Sequence, residues 1–190
     1  MRSSSDEEGK KRVFQNFENY FQEEPPKQEK IKVIAGDLTK QDMGLKKQQW
    51  ESLSKEIDII VNNAAQVNGV LPYKVLRLPN VEGTKQICRL SVCFKTKLFV
   101  HVSTLSVFNL GDKVLKENQV LLHHSLDLLP PYAASKCAAE IFLNSLSSKV
   151  KDYPLLIFRP VNSFYFDFIL MFFFLKKGNH LWGRKIWSHK

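Results

Sequence analysis

Short apolar runs alternate along this chain with longer stretches in which apolar residues recur every three or four positions. Residues 31–35, 57–61, 98–102 and 155–158 are runs of four or five residues rich in Ile, Val, Leu and Phe, the pattern of buried strands. Between them lie helical patterns. Residues 47–56 form a weakly amphipathic stretch with Trp50 and Leu53 facing inward. Residues 73–93 predict a longer helix in which Pro79 marks a kink or restart, and residues 132–148 predict another. Ahead of the first strand, Ser5-Asp-Glu-Glu8 has the Ser-x-x-Glu capping pattern, and Val13, Phe14, Phe17, Tyr20 and Phe21 follow at helical spacing until Pro25-Pro26 closes the element. Strand and helix alternate throughout. That order predicts a layered α/β domain built on a parallel sheet of about four strands.

Charge and composition narrow the picture. A chain of 190 residues with 44% hydrophobic content suits one globular domain with a sizeable core. The net charge of +9 is dispersed: residues 1–30 carry six basic and seven acidic side chains, residues 31–175 carry 17 and 12, and residues 176–190 carry five and none. Scattered positions and a short basic tail do not make a nucleic-acid stripe, so no nucleic-acid partner is expected. Cys88, Cys93 and Cys137 fall in or beside predicted helices without metal-ligand spacing, which reads as thiols of a reducing, cytoplasmic compartment and no metal site. The polar N-terminus does not read as a signal peptide. Residues 164–175 are apolar apart from Asp167; these twelve residues fall short of the roughly 20 that span a bilayer. A buried or interfacial segment is expected there rather than a membrane span.

The candidate chemistry sits at strand ends. Gly36-Asp37, Asn62-Asn63, Ser103-Thr104 and Asn162-Ser163 each follow an apolar run, and ligands of open α/β sheets bind outside the carboxyl ends of strands. Each cluster alone reads as a helix cap or turn; together they favour a nucleotide site. Tyr132-Ala-Ala-Ser-Lys136 adds a proton relay. Positions i and i+4 share a helix face, so the Lys136 ammonium would favour the Tyr132 phenolate and lower a pKa of ordinarily about 10. Thr104 would supply a second hydrogen bond to a substrate oxygen. Taken alone, Tyr-x-x-x-Lys is a weak pattern.

Ala35-Gly-Asp-Leu38, Asn62-Asn-Ala-Ala-Gln-Val-Asn68, Val70-Leu-Pro-Tyr73, Asn80-Val-Glu-Gly-Thr84, Val102-Ser-Thr-Leu-Ser-Val107, Tyr132-Ala-Ala-Ser-Lys136 and Phe158-Arg-Pro160 occur in this order. As a set they resemble the extended short-chain dehydrogenase/reductases. The Val-Asn-x-Val-Leu-Pro-Tyr run narrows the likeness to the thioester reductase domains of carboxylic acid reductases and non-ribosomal peptide synthetases. The resemblance implies an α/β fold over residues 1–163, a partial NAD(P)-binding reductase domain with a Rossmann-like parallel sheet and flanking helices. Residues 164–190 are then a divergent tail, apolar and afterwards basic.

The resemblance also implies roles. NADPH would be held by Asp37 and Leu38 at the adenine, by Asn63, Ala64 and Ala65 along the cofactor, by Lys136 at the ribose, and by Arg2 and Arg12 at the 2′-phosphate, where a guanidinium fork suits a dianion. Thr104, Tyr132 and Lys136 would be catalytic. The substrate would be an acyl thioester, carried on the phosphopantetheine arm of a carrier protein, and the product an aldehyde. The sequence departs from the pattern in three places. It holds no Gly-rich turn of the G-x-x-G-x-x-G type, so the sheet is expected to lack its first strands and dinucleotide binding to be weak. Gly69 stands where a bulkier residue is usual, and Val161 where glycine follows Arg-Pro. These departures leave open a non-catalytic, truncated remnant of such a domain, or a fatty acyl reductase-like protein held at a membrane by its tail.

Overall fold

The computed structural model describes residues 5–20, 31–108, 123–160 and 172–175. Helix α1 (Asp6–Tyr20) begins where the capping pattern places it: the Glu8 N–H donates to Ser5 Oγ at 3.1 Å. Asp6, Glu7 and Glu8 in its first turn complement the positive end of the helix dipole. A short 3₁₀ turn (Gln41–Gly44) leads to α2 (Lys47–Glu56), from which Trp50 and Leu53 pack against the core.

Strand β1 (Ile59–Asn62) starts two residues later than its apolar run suggests. Ile57 is taken by the preceding helix, donating its N–H to the Leu53 carbonyl as the α2 cap. The long helical stretch that follows is divided as Pro79 predicts. Helix α3 (Tyr73–Arg77) passes into one π-helical turn (Leu78–Glu82) and then α4 (Gly83–Val92). Pro79 has no N–H for the carbonyl four residues back, and its ring crowds that carbonyl. Widening the turn relieves the clash, and the Gly83 N–H reaches the Leu78 carbonyl five residues earlier. Strand β2 (Leu98–Val102), helix α5 (Pro131–Lys149) and strand β3 (Leu155–Phe158) complete the alternation.

The sheet order is β3-β2-β1-β4, with β1, β2 and β3 parallel. This is the Rossmann-like α/β arrangement that the alternation predicts. Its membership differs in two respects. Residues 31–35 form no strand, because no described strand offers them a ladder. The Ala35 N–H goes instead to Asp6 Oδ1 at 2.6 Å, and the Asp37 N–H to the Met43 carbonyl at 2.8 Å. The free edge of β1 is covered by β4 (Phe172–Leu175), which runs antiparallel and comes from the end of the apolar run. Residues 161–171, which include Asn162-Ser163 and the first part of that run, and the tail from 176 onward lie outside the described residues. Among the described residues, no helix is long and apolar enough to cross a membrane.

The core gathers under α4 and α5. Ile60 and Phe99, neighbours in register on β1 and β2, are fully buried with Ile87, Leu90 and Leu143. Each such side chain contributes roughly 1.5–3 kcal/mol relative to exposure. The same sheet face continues into Asn62 and His101, which are also in register. Polar groups therefore lie directly beyond the apolar core at the carboxyl end of the sheet.

Candidate active site

Three segments meet at the carboxyl end of β2. Ser103 extends the ladder by donating its N–H to the Phe158 carbonyl at 2.7 Å, and Thr104 then caps the 3₁₀ turn Leu105–Val107. Thr104 is fully buried, and its Oγ1 lies 3.3 Å from both the Ser106 N–H and Ser106 Oγ. Pro130 and Pro131 open α5 next to it, since proline at the first helical position loses no hydrogen bond. Tyr132 follows in the first turn. Lys136, one turn on, is buried and donates from Nζ to the Val102 carbonyl at 2.6 Å. The helix thus brings Lys136 to the strand end that leads into Thr104, with Tyr132 one turn before it on α5.

The electrostatics differ from the simple relay. Burial lowers the Lys136 pKa to about 8, partly offset by Glu140. Burial raises the Tyr132 pKa above its ordinary value, where the sequence reading has it lowered. The cause is desolvation: burial penalises the charged phenolate. Tyr132 is therefore a neutral phenol at physiological pH. No metal-binding cluster of His, Cys, Asp and Glu occurs among the described residues.

Asn63, Ala64 and Ala65 follow β1 next door, with Ala64 buried and the other two half-buried. Asp37 caps its own turn, its Oδ1 accepting from the Thr39 N–H at 2.9 Å and the Thr39 hydroxyl at 2.7 Å. Leu38 is 9% exposed and packs into the core against Gly83. Arg12 is exposed on α1, six residues beyond the Asp6 that touches Ala35. Arg2 lies outside the described residues.

Two groups of residues make polar links that the sequence reading does not assign, although Asn62, Asn80 and Thr84 fall in its motifs. Asn80, buried in the π turn, accepts from the Gln66 N–H at 2.7 Å and donates to the Gln66 carbonyl at 3.2 Å and Ser135 Oγ at 2.9 Å. It ties the loop after β1 to α5. The available signal is an Asn on the inward side of an otherwise apolar helix face. The second group is Asn62, Thr84 and His101. The Thr84 hydroxyl donates to the Asn80 carbonyl at 2.7 Å, so it accepts from Asn62 Nδ2 at 3.2 Å. The second N–H of that amide reaches His101 Nδ1 at 3.1 Å, which leaves the ring proton on Nε2. Burial and the Lys136 charge hold the His101 pKa well below its usual range, so the ring is neutral. Asn62 Oδ1, His101 Nε2 and Ser103 Oγ have no hydrogen-bond partner among the described residues. Buried, unpaired donors and acceptors at strand ends fit a polar ligand there.

Comparison with known proteins agrees with this geometry. Residues 1–162 match the family of NAD-binding domains described as male sterility protein. L-2-aminoadipate reductase of Saccharomyces cerevisiae is 38% identical over 126 residues, covering 60% of this chain and 9% of that protein. Carboxylic acid reductase of Segniliparus rugosus is 42% identical over 77 residues, covering 40% of this chain and 6% of that protein. Among solved structures, the terminal R domain from the myxalamid PKS-NRPS biosynthetic pathway superposes with a TM-score of 0.78 at 35% identity, covering 85% of this chain and 41% of that one. The chain thus spans under half of that reductase domain and about a tenth or less of the two curated relatives. The family match and the shared fold agree: the chain belongs to the NAD-binding male sterility protein family, and it is similar to carboxylic acid reductases and the reductase domains of peptide synthetases.

Proposed function

We propose that this chain carries the catalytic half of an NADPH-dependent thioester reductase, which converts an acyl thioester held on a carrier protein to an aldehyde. One observation supports the reading: the Lys136 ammonium, anchored on the Val102 carbonyl, ties α5, with Tyr132 one turn before it, to the strand that leads into Thr104. The likeness to carboxylic acid reductases and peptide synthetase R domains supports the substrate class. Asp37, Leu38, Asn63, Ala64, Ala65 and Lys136 would hold NADPH, with Arg2 and Arg12 toward its 2′-phosphate. When bound, the cofactor supplies the hydride.

The chain's own residues act on the carbonyl oxygen. Burial keeps Tyr132 protonated, so its phenol donates a hydrogen bond where negative charge develops. Thr104 supplies a second donor by turning its hydroxyl from Ser106 to the substrate. Preorganised donors of this kind hold an oxyanion without reorganisation in the transition state. NADPH oxidation with an acyl thioester tests the assignment. Tyr132→Phe keeps the ring and removes the donor, and should cost about a hundred- to a thousand-fold in turnover. Turnover close to wild type in that variant would show that the Tyr132 phenol takes no part.

A further inference from the structure

Glu140 lies one turn beyond Lys136 on α5 and is fully buried. Buried carboxylates are costly unless paired, and this one is paired twice over. The Arg159 guanidinium, just past the end of β3, meets it as a fork: Nε stands 3.1 and 3.0 Å from the two carboxylate oxygens, and Nη2 is 2.6 Å from Oε2. The face of the same guanidinium lies 4.9 Å from the ring centroid of Phe108, directly after the turn that Thr104 caps. One ion pair therefore joins the helix of Tyr132 and Lys136, the end of β3 and the segment after β2. The groups whose charge bears on Lys136 are Glu140, one turn on along its own helix, and His101 from β2, with Arg159 on Glu140 from the β3 end. Of these, only Glu140 carries negative charge at neutral pH.

We propose that Glu140 and Arg159 are positioning residues for the reductase site: Glu140 supplies the countercharge that keeps Lys136 an ammonium on the Val102 carbonyl, and Arg159 locks Glu140 in that place. The inference rests on the reading of Lys136 as an active-site residue. Its logic is electrostatic. A buried lysine with no carboxylate nearby sheds its proton, and an opposite charge a few ångströms away restores it by about 1–3 pH units. Glu140 would otherwise be drawn to whichever cation moved nearest. The bidentate contact with Arg159 fixes its direction, which a point-like lysine would not do.

The test reads Lys136 directly, without substrate. The full chain is labelled with [ε-13C]lysine, the Lys136 resonance is assigned by its loss in Lys136→Arg, and its titration is followed by NMR. Glu140→Gln should lower the Lys136 midpoint by about one pH unit or more. The double variant Glu140→Gln/Arg159→Met replaces the whole ion pair by neutral groups of similar size, a change that proteins commonly tolerate. It covers the event that the single variant fails to fold, and should also move the midpoint down. An unchanged midpoint in a folded variant, with only the melting temperature altered, would reduce the pair to a structural clamp and overturn the proposal. The reductase reading fails by a different measurement, an active Tyr132→Phe, so the two failures are distinguishable.

Discussion

Lys136 should make the protein less stable at neutral pH than at high pH, by an amount the structure sets. Its pKa falls from 10.5 to about 8 in the folded state because the ammonium is buried. At 1.36 kcal/mol per pH unit, keeping the folded-state proton costs about 3 kcal/mol. The sign follows from linkage. Between the two values the unfolded chain holds the lysine proton and the folded chain has released it, so stability rises with pH. Below about 8 both states are protonated and the full cost is present; above 10.5 neither is, and the cost is gone. Other groups oppose this trend. Burial pushes Cys137 up to about 11 and raises Tyr132, Tyr153 and Cys88, so their contribution is lost as pH rises. The comparison with Lys136→Met isolates the lysine, since Met keeps the unbranched stem and carries no proton. Urea unfolding of both proteins from pH 7 to 10.5 should show the wild type gaining about 3 kcal/mol on the variant as pH rises. A difference that stays constant, or that grows in the variant's favour, would mean that the ammonium is not desolvated as the burial requires.

Two further outcomes test the packing around the site. Gly83→Ala places a Cβ 2.9 Å from the Leu38 Cβ, an atom that cannot swing aside. Overpacking of about 1–3 kcal/mol should exceed the helix-propensity gain of about 1 kcal/mol, so a rise in unfolding free energy would contradict the close approach of α4 to Leu38. Asn80→Ala removes both partners of the Gln66 backbone and should cost about 2–3 kcal/mol; amide exchange at Gln66 should lose protection, and unchanged protection would show that the Asn80 bridge does not hold the loop.

The parts of the fold visible in the sequence are those whose cause is local. Strand 98–102, helix 47–56 and the break at Pro79 each follow from a pattern within one element, and each stands where that pattern places it. Residues 31–35 have an equally strong apolar run and form no strand, because pairing is supplied by a neighbour and not by the run itself. The antiparallel strand Phe172–Leu175 is the converse case. Its run is apolar at nearly every position, so it has no period from which to read a partner or a direction. The site divides in the same way. Tyr132 and Lys136 are close in sequence and legible as a pair, whereas Glu140 and Arg159 meet across 19 positions and Asn80 and Ser135 across 55. The direction of the Tyr132 pKa was misread for one reason: spacing reveals a neighbouring charge but not the burial that outweighs it.

Helix α5 explains why fold and site are hard to separate in this chain. Its buried positions are small or polar: Ala133, Ala134, Ser135, Lys136, Cys137, Ala139 and Glu140 precede the larger Ile141 and Leu143. Small side chains let the helix lie close to β2 and the π turn, close enough for the Lys136 amine to reach a strand carbonyl. They also bury little apolar area, so the first half of α5 gains little from hydrophobic packing. What holds it are polar ties: Lys136 to Val102, Ser135 to Asn80 and Glu140 to Arg159. Lys136, assigned to chemistry, is thus also a fastening of the helix that presents it. Loss of activity after substitution there does not by itself identify a chemical role, because the helix shifts when a fastening is cut. The discriminating measurements are those that read the group itself, the titration of Lys136 and the pH dependence of its contribution to stability.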